Sequence, residues 1–139
     1  MHELPFSEQF FDVIIFADIL EHLKDTSVLS NYRRYLKNDG YAIISIPNVA
    51  NWKIRLSLLL GKFDYKEAGI LSRHHLRFYT LKTAKKMITD AGFQITYITS
   101  TSGWNFCDCK LLTRNPSTLW KSLLACNFIF KAKKSNEVN

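Results

Sequence analysis

Long apolar runs are missing from this sequence, and its first residues do not read as a leader. No stretch of 18 apolar residues occurs, which excludes a spanning helix. Met1-His2-Glu3-Leu4-Pro5 has neither a basic n-region nor an apolar h-region, so it does not read as a signal peptide. Cysteine is scarce. Three residues cannot close into a set of disulfides, which fits a reducing, cytoplasmic setting. Cys107 and Cys109 form a lone C-x-C, and zinc wants about four ligands, so they read as ordinary thiols. Glycine is sparse as well. Of Gly40, Gly61, Gly69, Gly92 and Gly103, no two form a G-x-G. Acid is the minority charge: 12 Asp and Glu stand against 19 Lys and Arg, a net +7. Such a balance opens nucleic acid or an anionic membrane as partners. The cations are dispersed, however. Lys82, Lys85 and Lys86 fit the wet face of one helix, and Lys131, Lys133 and Lys134 fall near the end. They read as solvated surface, and no nucleic-acid partner is expected.

What the sequence does have is a core. Its 139 residues are 47% hydrophobic, enough for one domain. The most informative segment is Phe11-Asp12-Val13-Ile14-Ile15-Phe16-Ala17, followed at once by Asp18, Glu21 and His22. The apolar run Val13 to Ala17 predicts a strand buried on both faces, as in a parallel α/β sheet. Ligands of such sheets bind where strands end. Asp25-Thr26-Ser27 predicts a helix start, and Val28, Leu29, Tyr32, Tyr35 and Leu36 predict a helix over 26–37. Asn38-Asp39-Gly40 is expected to end it. Strand Tyr41 to Ile46 follows, closed by Pro47. Val49, Trp52, Leu56, Leu59 and Leu60 form a helical stripe, read as a lid packed on the core rather than a membrane anchor. Thr80 and Gly92 bracket a helix with Leu81, Ala84, Met87, Ile88 and Ala91 inward. Strands over 93–99 and 127–132, and a short helix from Pro116 to Ala125, complete the order.

Several motifs, taken in order, resemble the C-terminal half of class I S-adenosylmethionine-dependent methyltransferases. Leu4-Pro5-Phe6 with Phe11-Asp12-Val13-Ile14 resembles the entry to the family's fourth strand, and Leu20-Glu21-His22-Leu23 the turn after it. Leu36-Lys37-Asn38-Asp39-Gly40-Tyr41 resembles the turn before strand five, with Asn38 in place of the usual proline. Ile46-Pro47-Asn48 resembles that strand's end. His75-Leu76-Arg77-Phe78-Tyr79-Thr80 with Ala91-Gly92-Phe93 resembles the fifth helix and its exit. The resemblance implies an α/β fold, the C-terminal half of a doubly wound Rossmann-like sheet. That sheet is mostly parallel with an antiparallel C-terminal hairpin. Residues 1–134 then form a partial methyltransferase domain holding strands four to seven, with an insert or lid at 48–79. Residues 135–139 form a polar tail.

The resemblance implies methyl transfer from S-adenosylmethionine to a small-molecule or sugar/glycolipid acceptor. Ala17, Asp18 and Ile19 would flank the cofactor. Glu21, His22 and His75 would face the acceptor. For Glu21 and His22 three readings stand: structural, substrate-positioning with His22 as base, or metal-binding. The third rests on a likeness of Asp18-x-x-Glu21-His22 to a motif of some small-RNA and quinone-precursor methyltransferases. No residue is committed to a metal. Arg73-His74-His75-Leu76-Arg77 reads equally as a cap or as a cradle for an anionic substrate.

The family's glycine-rich cofactor loop and ribose-binding acid have no counterpart here. Roughly three βα units of about 30 residues each are missing. Without them Val13 to Ala17 becomes an apolar sheet edge, which natural proteins avoid. The chain is therefore expected to be incomplete and inactive alone: a fragment, or half of a split enzyme needing an N-terminal half or a second copy. The alternative is a non-catalytic remnant or partner-binding half.

Overall fold

A computed structural model describes residues 4–25, 27–102, 110–112 and 119–135. Five strands form one sheet in the order β1-β2-β5-β3-β4. They are β1 (Phe11–Ala17), β2 (Leu36–Pro47), β3 (Phe93–Ser102), β4 (Lys110–Leu112) and β5 (Asn127–Lys134). β1 and β2 pair in parallel. β5 inserts antiparallel between β2 and β3, so β1, β2 and β3 share one direction and β5 opposes them. The α/β class is as expected, but among the described strands the sheet is mixed rather than mostly parallel: β1–β2 is its parallel pairing, and the last strand pairs antiparallel with both β2 and β3.

Helices α1 (Val28–Tyr32) and α3 (Leu81–Asp90) supply one core face. Leu29, Ala84 and Ile88 meet Ala42, Ile44, Ile46, Phe128, Phe130 and Ala132, all fully buried. The alternation along β2 and β5 is what a strand covered mainly on one side requires. β1 departs from the two-sided burial expected of it. Phe16 is 6% exposed, but Ile15, on the other face, is 66% exposed. β1 is an edge strand of the described sheet, and Ile15 shares its face with Ile43.

The helix expected over 26–37 is shorter. α1 ends at Tyr32, a 3-10 turn covers Arg33–Tyr35, and Leu36 already pairs with Phe11. Gly40 therefore ends no helix. It lies inside β2, where four residues, 37–40, bulge opposite Asp12. A side chain at Gly40 would meet the Asp12 carbonyl at 2.8 Å, so the bulge demands glycine. Thr80 and Thr83 form a reciprocal cap on α3, and Gly92 stops it at φ 80°, as the sequence predicts. α2 (Trp52–Leu59) is capped by Asn51 and has no buried residue, so its stripe does not pack on the core among the described residues. Lys131, Lys133 and Lys134 belong to β5, and the Lys131 ammonium lies 3.9 Å from the Tyr41 ring centroid. Ser135, first of the expected tail, donates its N–H to the Gly92 carbonyl. Cys107, Cys109 and Pro116 lie outside the described residues. No described helix is long and apolar enough to cross a membrane.

Candidate active site at the end of the first strand

β1 delivers its last residues to the sheet's carboxyl end. Ala17 and Ile19 are exposed there. Asp18 between them has φ 47°, the left-handed region that aspartate tolerates better than most residues. Its Oδ1 accepts from Ser45 Oγ at 2.7 Å and Asn127 Nδ2 at 2.8 Å. Two neighbouring strands thus fix one carboxylate oxygen. Sequence reasoning missed both partners, because the β1–β2 pairing brings Ser45 to Asp18 and the β2–β5 pairing brings Asn127 there.

The chain then makes a 3-10 turn, Leu20–His22. The returning insert docks on it through backbone bonds. The Glu21 carbonyl accepts from Leu76 N at 2.8 Å and Arg77 N at 3.1 Å. The Arg77 guanidinium donates to the Lys24 carbonyl at 2.7 Å and to the Leu23 carbonyl at 3.4 Å. Arg77 is therefore a clamp on this turn. Arg73 pairs with Glu67 at the surface. The anion-cradle reading of these two arginines finds no support in this arrangement.

Docking brings Glu21, His22 and His75 together. The His22 and His75 rings meet edge-on with centroids 4.8 Å apart, and His75 Nε2 lies 3.9 Å from Glu21 Oε1. Ligand atoms of the three residues all lie within 4.8 Å of one another. Each histidine has one ring nitrogen tied to a carbonyl: His22 Nδ1 to His74 O and His75 Nδ1 to Ile70 O, both at 3.0 Å. A carbonyl only accepts, so each neutral ring carries its proton on Nδ1 and keeps its lone pair on Nε2. The Glu21 side chain is buried at 1% exposure, and neither oxygen has a hydrogen-bond partner. Burial pushes its pKa up, and the nearby Asp18 charge adds to this. Burial pushes the His75 pKa down, against the upward pull of its bond to Ile70. Both shifts favour neutral groups.

Two asparagines, also missed, support the neighbouring loop. Asn48 Nδ2 donates to the Ser122 and Ala125 carbonyls, and Asn51 Nδ2 to Ala125. The signal that could have found Asn51 is its place directly before the α2 stripe, where asparagine suits a helix cap. Its second role, like that of Asn48, depends on a contact more than 70 residues away.

Comparison with known proteins bears on this arrangement. A family model described as a methyltransferase domain matches residues 1–98. No curated protein matches. A methyltransferase structure from Thermotoga maritima is similar, with a TM-score of 0.69 at 15% identity over 96% of this chain and 60% of that one. One from Methanosarcina mazei gives 0.64 at 18% identity, over 97% of this chain and 64% of that one. A Haloferax volcanii methyltransferase in complex with the Trm112 activator gives 0.57 at 11%, over 99% and 59%. These identities establish a shared fold, and the chain spans about three fifths of the length of such structures. With 98 of 139 residues matched, the chain belongs to the class I S-adenosylmethionine-dependent methyltransferase family.

Proposed function

We propose that this chain is the acceptor-facing part of a methyltransferase for a small-molecule or sugar/glycolipid acceptor, incomplete and inactive alone. The observation that carries this reading is the convergence of Glu21, His22 and His75 at the strand end. S-adenosylmethionine, when bound, supplies an electrophilic methyl on a sulfonium. The residues present fit part of its site. Exposed Ala17 and Ile19 offer apolar contact beside the fixed Asp18 carboxylate. No described residue supplies a glycine-rich turn, and the sequence has no G-x-G. On the acceptor side, His22 is the exposed imidazole of the pair, suited to take a hydroxyl proton on Nε2. Glu21 and His75 hold its surroundings. The odd cysteine count supports placing the chain in the cytoplasm.

A second reading, a partner-binding half, is favoured by one feature: the edge strand β1 leaves Ile15 66% exposed. Joining the chain to a first half that carries the G-x-G turn separates the readings. Alone, the chain is expected to show no micromolar S-adenosylmethionine binding by calorimetry. The completed version should bind cofactor and transfer methyl. His22→Ala should then lower turnover about 10²–10⁴-fold with cofactor affinity kept. Clear one-to-one micromolar binding by the chain alone overturns the incompleteness. Unchanged turnover in folded His22→Ala and His75→Ala removes both rings from the acceptor side.

A further inference from the structure

Helix α2 carries its apolar side outward. Trp52, Leu56 and Leu59, with Leu60 at the C-cap, are all exposed, and no residue of the helix is buried among the described residues. Leu59 is 82% and Leu60 64% exposed. Single surface leucines need no explanation, but a contiguous apolar set does. The spacing i, i+4, i+7 and i+8 puts these four side chains on one side of the helix. The helix is nevertheless fixed in place. Asn51 Oδ1 accepts from Lys53 N and its Nδ2 donates to the Ala125 carbonyl, both at 3.0 Å, while Arg55 Nε donates to the Ala50 carbonyl at 2.8 Å. The charges around the stripe have one sign. Residues 51–63 hold Lys53, Arg55 and Lys62 and no acid. At about 100° per residue, Lys53 and Arg55 fall on opposite flanks of the Trp52–Leu56–Leu59 stripe. Asp64 is the first acid beyond it, and Glu67 is paired with Arg73. Aromatic contacts then lead from this turn to the candidate site. Phe63 meets Tyr65 and Phe78 with ring centroids 5.5 and 5.9 Å apart, and Phe78 meets the His75 ring at 6.3 Å.

We propose that α2 and the turn after it dock the chain on an anionic lipid surface. An apolar stripe with cations on both flanks is what an interfacial helix requires. Trp and Leu enter the boundary between headgroups and acyl chains, while the Lys and Arg heads reach the lipid phosphates. Trp52 suits that boundary, because an indole has an apolar body and one polar N–H. Charge argues against a protein occupant. Lysine is depleted at the centre of protein–protein interfaces, whereas each cation beside an anionic membrane adds to binding. A second copy seated through the same face would set these cations against themselves. α2 has eight residues, so it lies on a membrane and does not cross it. A lipid-borne acceptor would be presented beside His75, and this step alone rests on the acceptor reading above. The docking itself needs no methyl transfer.

The test mixes the full chain with vesicles containing phosphatidylglycerol and reads binding by cosedimentation, with the chain spun alone as the baseline. Trp104→Phe and Trp120→Phe leave Trp52 as the sole indole reporter. Saturable binding with a blue-shifted Trp52 emission is expected, with much weaker binding to phosphatidylcholine vesicles. Leu56→Glu with Leu59→Glu should abolish it. Both positions are exposed, and circular dichroism confirms that the variant folds. Lys53→Gln with Lys62→Gln should weaken binding roughly 25-fold, about fivefold per cation. The same loss of charge on α3, Lys82→Gln with Lys85→Gln, should leave it unchanged. No saturable binding, equal binding to phosphatidylcholine, an unshifted Trp52, or binding kept in the folded Leu56→Glu, Leu59→Glu chain overturns the proposal. So does self-association that this variant abolishes in a chain that ignores vesicles, because a second copy then covers the face. Vesicle binding without methyl transfer in a completed enzyme sinks the acceptor reading alone. Transfer to a soluble acceptor by a completed enzyme that ignores vesicles sinks this one alone.

Discussion

Glu21→Gln should make the chain more stable, although it removes a charged group from the candidate site. The wild-type carboxylate sits at 1% exposure with neither oxygen hydrogen-bonded. A buried polar group left unsatisfied costs about 1–3 kcal/mol, and more when charged. Glutamine keeps the shape and removes the charge. Its amide N–H can also donate toward His75 Nε2, the acceptor now 3.9 Å away. Its carbonyl oxygen still lacks a donor, so only part of the penalty is relieved. A gain of about 1 kcal/mol is expected, raising the melting temperature by about 2–4 °C in a domain of this size. The pH dependence follows from the raised folded-state pKa of Glu21. A carboxyl whose pKa is higher folded than unfolded favours the folded state when protonated. That contribution is present at low pH and is lost as pH rises through the folded-state value. The advantage of glutamine is therefore largest at neutral pH and fades as pH falls toward the ordinary glutamate range. Thermal melts from about pH 8 down to about pH 4 read this out. A Glu21→Gln chain that melts below wild type at every pH would refute the reasoning, because it would mean the carboxylate has a partner that holds the turn.

Two further outcomes follow from the sheet. The chain should self-associate through β1, so its sedimentation-average mass should rise with concentration, and Ile15→Lys should return it to a monomer by placing a charge on the exposed edge; a wild-type chain that stays monomeric throughout would dispose of the edge argument. Gly40→Ala should lower stability by about 1–3 kcal/mol, since its Cβ would lie 2.8 Å from the Asp12 carbonyl and 2.9 Å from Leu36 Cδ1; an unchanged melt would show that the bulge opens freely.

Local punctuation made part of this fold readable. The helix α3 lies between Thr80 and Gly92, and its apolar residues repeat at helical spacing, so its limits and buried face could be read together. β1 was readable as a strand but not as a half-covered one. An unbroken apolar run has no period, so it does not say which face is covered. Phe16 and Ile15 look alike in sequence and differ tenfold in exposure. The helix read over 26–37 ran too long for a related reason. Tyr35 and Leu36 continue a helical pattern, but Leu36 pairs with Phe11 across the sheet. That long-range contact overrides local preference. Gly40 was likewise visible as a special position, while the reason for it, the approach of the Asp12 carbonyl, is tertiary.

The site divides in the same way. Glu21 and His22 were legible because they follow a buried-strand pattern at the end where α/β sheets bind ligands. His75 was singled out by its neighbours, a run of basic and imidazole groups, but no spacing rule places residue 75 beside residue 21. Two backbone bonds to the Glu21 carbonyl and the Arg77 clamp put it there. The same clamp changes what the run offers. With Arg77 directed at the Lys24 and Leu23 carbonyls and Arg73 paired with Glu67, the donors gathered at the turn are imidazole and carboxylate. The final determinant is not a side chain at all. The carbonyls of Ile70 and His74 decide which nitrogen of each ring is protonated. That choice leaves His75 Nε2 facing a carboxylate that has no hydrogen-bond partner among the described residues.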